Sequence, residues 1–470
     1  MNRIMVAIGI ITIVIPIIGS MLRGEIFCDS AYYICHAQLV SQGKVPYYDF
    51  CFGYTPLWLY IAAFIKIVFG IPDGNYVVYL LLHYLFLLGS AFLVYKIALA
   101  WNVSRTKALF GSWLFMIMSH WLQGNVLLLE PPSIFFGLLS SYLIIRINND
   151  KSNDREHFKD FLAGLICVCS FLSKQFGLVF FFLNLFLIIV NRRQTVIRVL
   201  CFVLGYMLPM LLCFLYWRTE FMAVVFSGYG TKSAQAAGWE ITILERVFSV
   251  AWYYGYFVVW VCPMAIVGLF SFPNAIRQHR IKEAVFCYCG IIGFSLQFWF
   301  AKDFHYLLYM IPFGVLLMLQ MWSVKDGKWL QKIKYAVVVW TMVLSMYKTY
   351  KCRVYKWYIA KNVRKEQLMI AKEFDSKIAK GASLWVEDGG LTYLYLTTGA
   401  LPPNLKSIGF SFGPLGVDKE KALMQAKSAD FVAMYSNGVN YEDVKHYLES
   451  YPAVPIGDSS VLLYDMRSNK

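Results

Sequence analysis

Two carboxylates in one polar, tyrosine-rich segment are the first residues of this sequence that could do chemistry. Asp29 directly precedes a segment of helical potential at residues 30–41, and Asp49 ends the run KVPYYD. A carboxylate held where water is partly excluded has a raised pKa and can act as a general base toward an acceptor hydroxyl. The structural alternatives are a helix N-cap for Asp29 and a solvated loop carboxylate for Asp49.

Charged residues also stand at two breaks in apolar sequence, at Glu130 and Lys174. Glu130 precedes two prolines, which is typical of a helix N-terminus, and its functional alternative is a second carboxylate near a sugar or a metal ion. Lys174 divides the apolar stretch at residues 161–190. A cation at a membrane boundary is costly and is therefore a functional candidate, with snorkelling from a helix turn as the alternative.

Lys302 and His305 lie in a short polar segment, where solvated loop residues are the favoured interpretation. No spacing of Cys and His matches a zinc site, so the sequence assigns no metal ligands and leaves a divalent ion open as a cofactor.

The composition shows which elements must position these side chains. Of 470 residues, 59% are hydrophobic and 15% charged, whereas soluble domains are about 45–50% apolar and about 25% charged. This excess, with a mean hydropathy of +0.54, excludes a soluble enzyme and a disordered chain. The net charge of +15 fits lysine and arginine in cytoplasmic loops and does not require a nucleic-acid partner.

The apolar runs predict an all-α multi-spanning membrane protein with about 11–13 transmembrane helices, the first an uncleaved helix at residues 4–22. The loop at residues 23–55 is then outside, and the basic loop at residues 148–159 inside. Four runs lie between these loops, at 56–71, 76–98, 108–123 and 131–146. An odd number of crossings is needed, so one run, predicted within residues 108–146, does not cross separately.

The C-terminal part differs in character, since residues 351–470 carry charged residues at twice the density of residues 1–350. The predicted domains are a transmembrane domain at 1–350, a linker at 351–377 and a small extracytoplasmic α/β domain at 378–470. Strands are predicted at 383–387, 430–435 and 460–464, and helices at 418–428 and 440–449.

Several motifs resemble the GT-C glycosyltransferases, closest to the group of protein O-mannosyltransferases and lipid A aminoarabinose transferases. They are an acidic residue after the first span (Asp29), PYYD at 46–49, YTPL at 54–57, FG at 69–70, LEPP at 129–132, LSKQFG at 172–177 and HYLLYMIPF at 305–313. The resemblance covers nearly the whole chain, and the first loop carries its most specific part.

This resemblance implies transfer of a sugar from a polyprenyl-phosphate carrier to a lipid, glycan or protein acceptor on the outer face of a bacterial inner membrane. Asp29 would be the base of an inverting reaction. Lys174, with Lys302, His305 and Tyr306, would bind the donor phosphate. Many members have Asp-Glu where this chain has Asp29-Ser30, so a role of the second acid would fall to Asp49 or Glu130.

Two other functions compete with glycosyl transfer. A lipid-linked glycan flippase or transporter would be expected to show related halves with broken helices at matching positions, and this sequence has no internal repeat. A lipid-linked oligosaccharide polymerase usually concentrates arginines in large mid-chain outer loops, and the loop at residues 218–246 is modest.

Overall fold

The structure is a computed structural model. It describes residues 3–23, 26, 28–50, 52–72, 75–124, 126–149, 156–191, 195–226, 242–300, 303–351, 356–379, 381–386, 389–403, 405, 427–437, 445–446, 448–457 and 460–469.

Most of the described chain is helical, as the composition predicts. The helices are α1 Arg3–Arg23, α2 Cys28–Ser41, α3 Leu57–Phe69, α4 Tyr76–Ala100, α5 Arg105–Trp121, α6 Glu130–Asn149, α7 Glu156–Ser173, α8 Leu178–Val190, α9 Thr195–Phe226, α10 Ile243–Tyr256, α11 Met264–Phe270, α12 Phe272–Arg277, α13 Ile281–Ser295, α14 Ile311–Ser323, α15 Lys328–Thr349, α16 Lys356–Lys377 and α17 Tyr393–Thr398. Turns of 3₁₀ helix at Gln175–Gly177, Leu296–Trp299 and Phe304–Met310 join some of them.

The long apolar helices make this chain a membrane protein. Within the described residues, four segments are long and apolar enough to cross a bilayer: Tyr76–Ala100, Thr195–Met222, Ile281–Trp299 and Phe304–Ser323. A fifth crossing would consist of Ile243–Val261 and Met264–Phe270, which meet at an 81° bend. The total of about 11–13 spans stays a prediction.

Hydrogen bonds bring several loops together at one end of the helices. They join Asn149 Nδ2 to Ala100 O (3.0 Å), Lys282 Nζ to Val190 O (3.4 Å), Arg280 Nη1 to Trp101 O (3.5 Å) and Lys107 Nζ to Trp322 O (3.3 Å). We call this end, at residues 100–107, 146–149, 190–191, 277–282 and 322–334, the basic face. Lysine and arginine outnumber acids there, which is the bias that the positive-inside rule expects of cytoplasmic loops.

Contacts at their ends place α5 and α6 relative to the basic face. Helix α5 begins at the basic face, and near its other end Ile117 O accepts a hydrogen bond of 3.0 Å from Thr349 Oγ1, at the end of α15. Helix α6 returns to the basic face at Asn149. Helix α3 has 13 residues and extends about 20 Å against a hydrocarbon core of about 30 Å. Which of the four runs does not cross separately stays a prediction.

The chain divides into two compact units. The first consists of residues 1–20, 81–216 and 242–356, and the second of residues 21–80, 217–241 and 357–470. The segment at 23–55 thus belongs to the same unit as the C-terminal residues, a grouping that the sequence did not predict. The domain limits at 350 and 378 stay predictions.

In the second unit, a four-stranded sheet has the order β1-β2-β4-β3. The strands are β1 Leu384–Val386, β2 Phe431–Tyr435, β3 Ala453–Pro455 and β4 Val461–Asp465. The three predicted strands match β1, β2 and β4, and the exposed edge strand β3 was missed. The predicted helix at 418–428 is described only at residues 427–428, and the one at 440–449 only at residues 445–446 and 448–449.

Candidate functional site

At Lys174, where the sequence breaks the apolar stretch, the structure has two helices joined by a tight turn. Helix α7 ends at Ser173, Lys174 is extended (φ −160°, ψ 138°), and a single 3₁₀ turn leads into α8. Gly177 permits this turn, because a Cβ atom there would lie 2.4 Å from the backbone carbonyl of Ser170. The turn directs Lys174 inward, where its side chain is 1% exposed.

Glu130 begins α6, and a buried histidine holds the loop that leads to it. His83 Nδ1 accepts a hydrogen bond of 3.3 Å from the Leu128 N–H, so its Nε2 carries the proton and donates to Gly124 O at 2.8 Å. His83 is therefore a neutral histidine packed inside the protein. The predicted helix N-terminus at Glu130 is correct, and it does not exclude a second role for that carboxylate.

Glu130, Lys174, His305 and Tyr306 form one buried cluster, which we call the Glu130 cluster. Lys174 Nζ donates to Glu130 Oε1, and the same oxygen lies 3.3 Å from His305 Nε2. The Lys174 ammonium also lies 4.5 Å from the centre of the Tyr306 ring, a cation–π contact. Lys174 and His305, which follow Glu130 by 44 and 175 positions in the sequence, thus converge on its carboxylate.

His305 and Tyr306 enter this cluster from the 3₁₀ helix Phe304–Met310. Gln297 Nε2 donates to Tyr306 O at 2.8 Å and holds this helix in place. The His305 and Tyr306 rings are 4.3 Å apart, and Phe176 contacts Tyr306 edge-on at 5.3 Å. The prediction of a solvated loop at His305 was wrong, since its side chain is only 8% exposed.

One polar atom of the Glu130 cluster is left for a ligand. Glu130 Oε1 is taken by Lys174 and lies 3.3 Å from His305 Nε2. His305 faces the exposed Asp303 at 3.9 Å on its other side. Glu130 Oε2 is buried and receives no hydrogen bond from the described residues, which leaves one acceptor for a ligand hydroxyl.

A metal ion would find few ligands here. Glu130 and His305 are the two candidates that come together, and within the described residues no group of three or more His, Cys, Asp or Glu side chains is placed to hold a metal.

Asp29 lies in the second unit, in the first turn of α2, where a carboxylate is favourable. Asp29 therefore lies inside the helix and not at the predicted N-cap position, because α2 already begins at Cys28. The helix is buried from Ser30 to Leu39, whereas Asp29 is partly exposed. Just before it, Ile26 and Gln367 exchange two hydrogen bonds, from Ile26 N to Gln367 Oε1 (3.2 Å) and from Gln367 Nε2 to Ile26 O (3.1 Å).

Aromatic rings fix α2 against the loop that follows it. Tyr32 stacks on Phe52 at 5.7 Å, and its hydroxyl accepts a hydrogen bond of 3.3 Å from the Gly53 N–H. Tyr47 Oη donates to Tyr54 O at 2.7 Å. These contacts account for several tyrosines of this segment. They also fix the position of α2, the helix that carries Asp29.

Asp49 is an exposed turn residue. Its Oδ2 accepts a hydrogen bond of 2.7 Å from the Val45 N–H, and Tyr47 inside this turn has a positive φ of 72°. This geometry matches the loop-carboxylate alternative. Lys302 lies outside the described residues.

Sequence reasoning missed the residues that support the site. They are Gln297, Gln367 and the hydrogen-bonded pair of Ser133 and Ser170. No motif marks them, and Gln367 and the serine pair act on partners far away in the chain. The His83 contact to residues 124–128 could have been suspected from a polar ring inside an apolar run.

The fold of this chain has counterparts among known proteins. Residues 51–225 match the family model described as dolichyl-phosphate-mannose-protein mannosyltransferase. The crystal structure of ArnT from Cupriavidus metallidurans bound to undecaprenyl phosphate is 12% identical, with a TM-score of 0.59 over 99% of this chain and 98% of that chain. The chain has the GT-C fold.

Two other solved structures agree with this GT-C assignment. ArnT from the same organism in the apo state gives a TM-score of 0.57 at 13% identity, covering 97% of each chain. The Archaeoglobus fulgidus oligosaccharyltransferase in complex with Zn and sulfate gives 0.53 at 11% identity, covering 93% of this chain and 69% of that one. No curated protein sequence matches this GT-C chain.

Proposed function

We propose that this protein is an integral-membrane glycosyltransferase that moves a sugar from a polyprenyl-phosphate carrier to an acceptor on the outer face of the membrane. The observation that carries the proposal is the likeness to ArnT bound to undecaprenyl phosphate, which extends over 99% of the chain. The match to the mannosyltransferase family model over residues 51–225 supports the same class of donor. The acceptor is a lipid, a glycan or a protein of the cell envelope.

The Glu130 cluster is the proposed site for the donor phosphate. A lipid phosphate is a good leaving group, so the enzyme has to stabilise the charge that develops on it and need not protonate it strongly. Lys174 supplies a cationic donor and His305 a ring nitrogen in a buried site, where charge-assisted hydrogen bonds are strong. Glu130 holds Lys174 in place, and its free Oε2 would accept a hydrogen bond from a sugar hydroxyl.

Asp29 is the proposed base. It would take the proton of the acceptor hydroxyl as that oxygen attacks the anomeric carbon from the side opposite the phosphate, which inverts the configuration. Its assignment rests on the resemblance of the first loop to GT-C enzymes and on the fixed position of α2. Asp49 is given no catalytic role, because its carboxylate already closes a turn.

The experiment is a transfer assay with the purified full-length protein in nanodiscs. Radiolabelled polyprenyl-phosphate sugars serve as donors and a membrane extract as the acceptor source. We expect label to move into product with wild type and with Asp49→Asn. The rate of transfer should fall by a factor on the order of 10³ with Asp29→Asn, because this substitution removes the base and keeps the shape of the side chain. Near-normal turnover of Asp29→Asn would show that Asp29 is not the base.

Two further arms of this assay test the remaining parts of the proposal. Addition of EDTA, followed by Zn²⁺ or Mg²⁺, determines whether a divalent ion is a cofactor. Donor binding without transfer in any acceptor fraction would contradict the transferase proposal and favour a lipid-linked glycan flippase. Location in a bacterial inner membrane with residues 378–470 outside is part of the proposal, and cysteine labelling from either side of the membrane tests it.

A further inference from the structure

A second polar site lies at the basic face, far from the Glu130 cluster. It is a cavity of about 580 Å³ between the ends of α4 and α6. Its polar lining consists of Lys96, Asn102, Tyr142, Arg146 and Asn149. Glu130 is the first residue of α6, and Arg146 lies in its last turn, so the two sites are separated by about 24 Å along the helix axis.

Among the residues that the structure describes, the cations of this cavity have no counter-ion. Neither Lys96 nor Arg146 forms an ion pair with a described acid, and the Tyr142 hydroxyl makes no hydrogen bond to a described residue. Other cations nearby do have partners: Arg198 pairs with Asp160, and Lys334 with Asp326. The dipole of α6 explains one cation near its C-terminus, but it does not explain two cations from different helices at one cavity.

An exposed apolar strip on α4 leads to this cavity. Leu85, Leu88 and Phe92 are 65%, 43% and 57% exposed, and with Lys96 they share one face of the helix because they are spaced by three or four residues. The Lys96 ammonium lies 5.6 Å from the centre of the Phe92 ring. In a membrane protein such a strip contacts acyl chains, so Lys96 stands where the apolar strip meets the polar cavity.

We propose that this cavity binds the phosphate headgroup of an anionic phospholipid, with an acyl chain along Leu85, Leu88 and Phe92. Lys96 and Arg146 neutralise the phosphate, and the Tyr142 hydroxyl donates a hydrogen bond to it. The basic face has the charge bias that the positive-inside rule expects of cytoplasmic loops, and the cytoplasmic leaflet is rich in anionic lipid. Basic pockets between helices on that side are a known kind of lipid headgroup site. This site is independent of the proposed sugar transfer.

Native mass spectrometry of the full-length protein in a neutral detergent tests this inference. Phosphatidylglycerol and phosphatidylcholine of equal chain length are titrated against wild type, against Lys96→Gln/Arg146→Gln, and against the control Arg277→Gln/Lys325→Gln. The control removes two exposed cations of the basic face that do not line the cavity. We expect wild type and control to prefer phosphatidylglycerol, and the cavity variant to lose this preference by a factor on the order of ten.

Three outcomes would overturn the inference. Equal phosphatidylglycerol binding by the cavity variant and wild type would show that Lys96 and Arg146 do not form the site. An equal loss in the control would show a diffuse effect of surface charge. If millimolar inorganic phosphate displaced the lipid, and the protein bound phosphate alone as tightly as it binds phosphatidylglycerol, the cavity would be an anion site that does not recognise lipid.

Discussion

At the scale of residues, the Glu130 cluster is held together by a buried ion pair. Removing one partner of such a pair leaves an uncompensated charge, whereas replacing both by apolar or neutral groups of similar volume is often tolerated. This asymmetry separates the contribution of Lys174 to stability from its proposed contribution to phosphate binding.

We therefore expect Lys174→Met to lower the free energy of unfolding by about 3–5 kcal/mol and to abolish sugar transfer. The double variant Glu130→Gln/Lys174→Met should recover most of the stability and none of the activity. Thermal unfolding in detergent and the transfer assay measure the two effects. If the double variant regained activity together with stability, the pair would have a packing role alone.

A second prediction at this scale concerns Asp326, in the loop between α14 and α15. Burial alone would raise its pKa, but hydrogen bonds from Lys334 (2.6 Å), Asn274 (2.6 Å) and Ser271 (2.7 Å) lower the pKa of this carboxyl below its ordinary value. A lowered pKa in the folded state means that the stabilisation is complete above about pH 4, the unfolded value, and is lost as the pH falls through the folded value.

We expect Asp326→Asn to lower the free energy of unfolding by about 1–3 kcal/mol at pH 7. The difference in melting temperature from wild type should stay constant between pH 7 and pH 5 and narrow toward pH 3. A difference that does not change down to pH 3 would show that the charge of Asp326 does not contribute.

At the scale of elements, two glycines determine how closely α7 and α9 pack. A Cβ atom at Gly164 would lie 2.1 Å from Phe202 O, and one at Gly205 would lie 2.1 Å from Phe161 O. Such contacts are with backbone atoms, so a side chain can be accommodated only if the helices separate. Near the basic face the same helices are joined by the buried pair of Arg198 and Asp160, at 2.7 and 3.0 Å.

We expect Gly164→Ala to destabilise the protein by about 1–3 kcal/mol, because overpacking forces backbone shifts. Gly255→Ala is the matched control, since Gly255 also lies in a helix and a Cβ atom there meets nothing within 4 Å. It should be neutral or slightly stabilising, as alanine has the higher helix propensity. Equal melting temperatures of the two variants would contradict the close packing of α7 and α9.

At the scale of the whole molecule, the second unit assembles segments from three distant parts of the chain. Its residues 21–80 and 357–470 meet at the two hydrogen bonds between Ile26 and Gln367, three residues before Asp29. The C-terminal part thus takes part in fixing the chain that enters α2, and it is more than an appended domain.

We expect Gln367→Ala to reduce sugar transfer several-fold. It should lower the free energy of unfolding by about 1–3 kcal/mol, because two neutral hydrogen bonds are lost. The KM for the donor should change less than kcat if Gln367 acts by positioning Asp29. Gln367→Glu retains the acceptor for Ile26 N but turns a carboxylate oxygen toward Ile26 O, so it should lose at least as much activity as Gln367→Ala. If both variants transferred sugar at the wild-type rate, Gln367 would have no positioning role.

Much of the architecture follows from local sequence. The apolar runs predicted the helices, because a span must satisfy its backbone hydrogen bonds internally, and the break at Lys174 was visible as a polar interruption. Alternation of apolar residues predicted β1, β2 and β4. Strand β3 was missed because its three residues are exposed and end in Pro455, which is a weak strand signal.

The sequence by itself determined that this is a helical membrane protein with acidic and basic candidates in its loops. Only the tertiary structure decided that Glu130, Lys174, His305 and Tyr306 form one cluster and that Asp49 closes a turn. The physical reason is that hydropathy and periodicity act between residues close in sequence. Ion pairs, ring contacts and side-chain hydrogen bonds depend instead on how the chain packs in three dimensions.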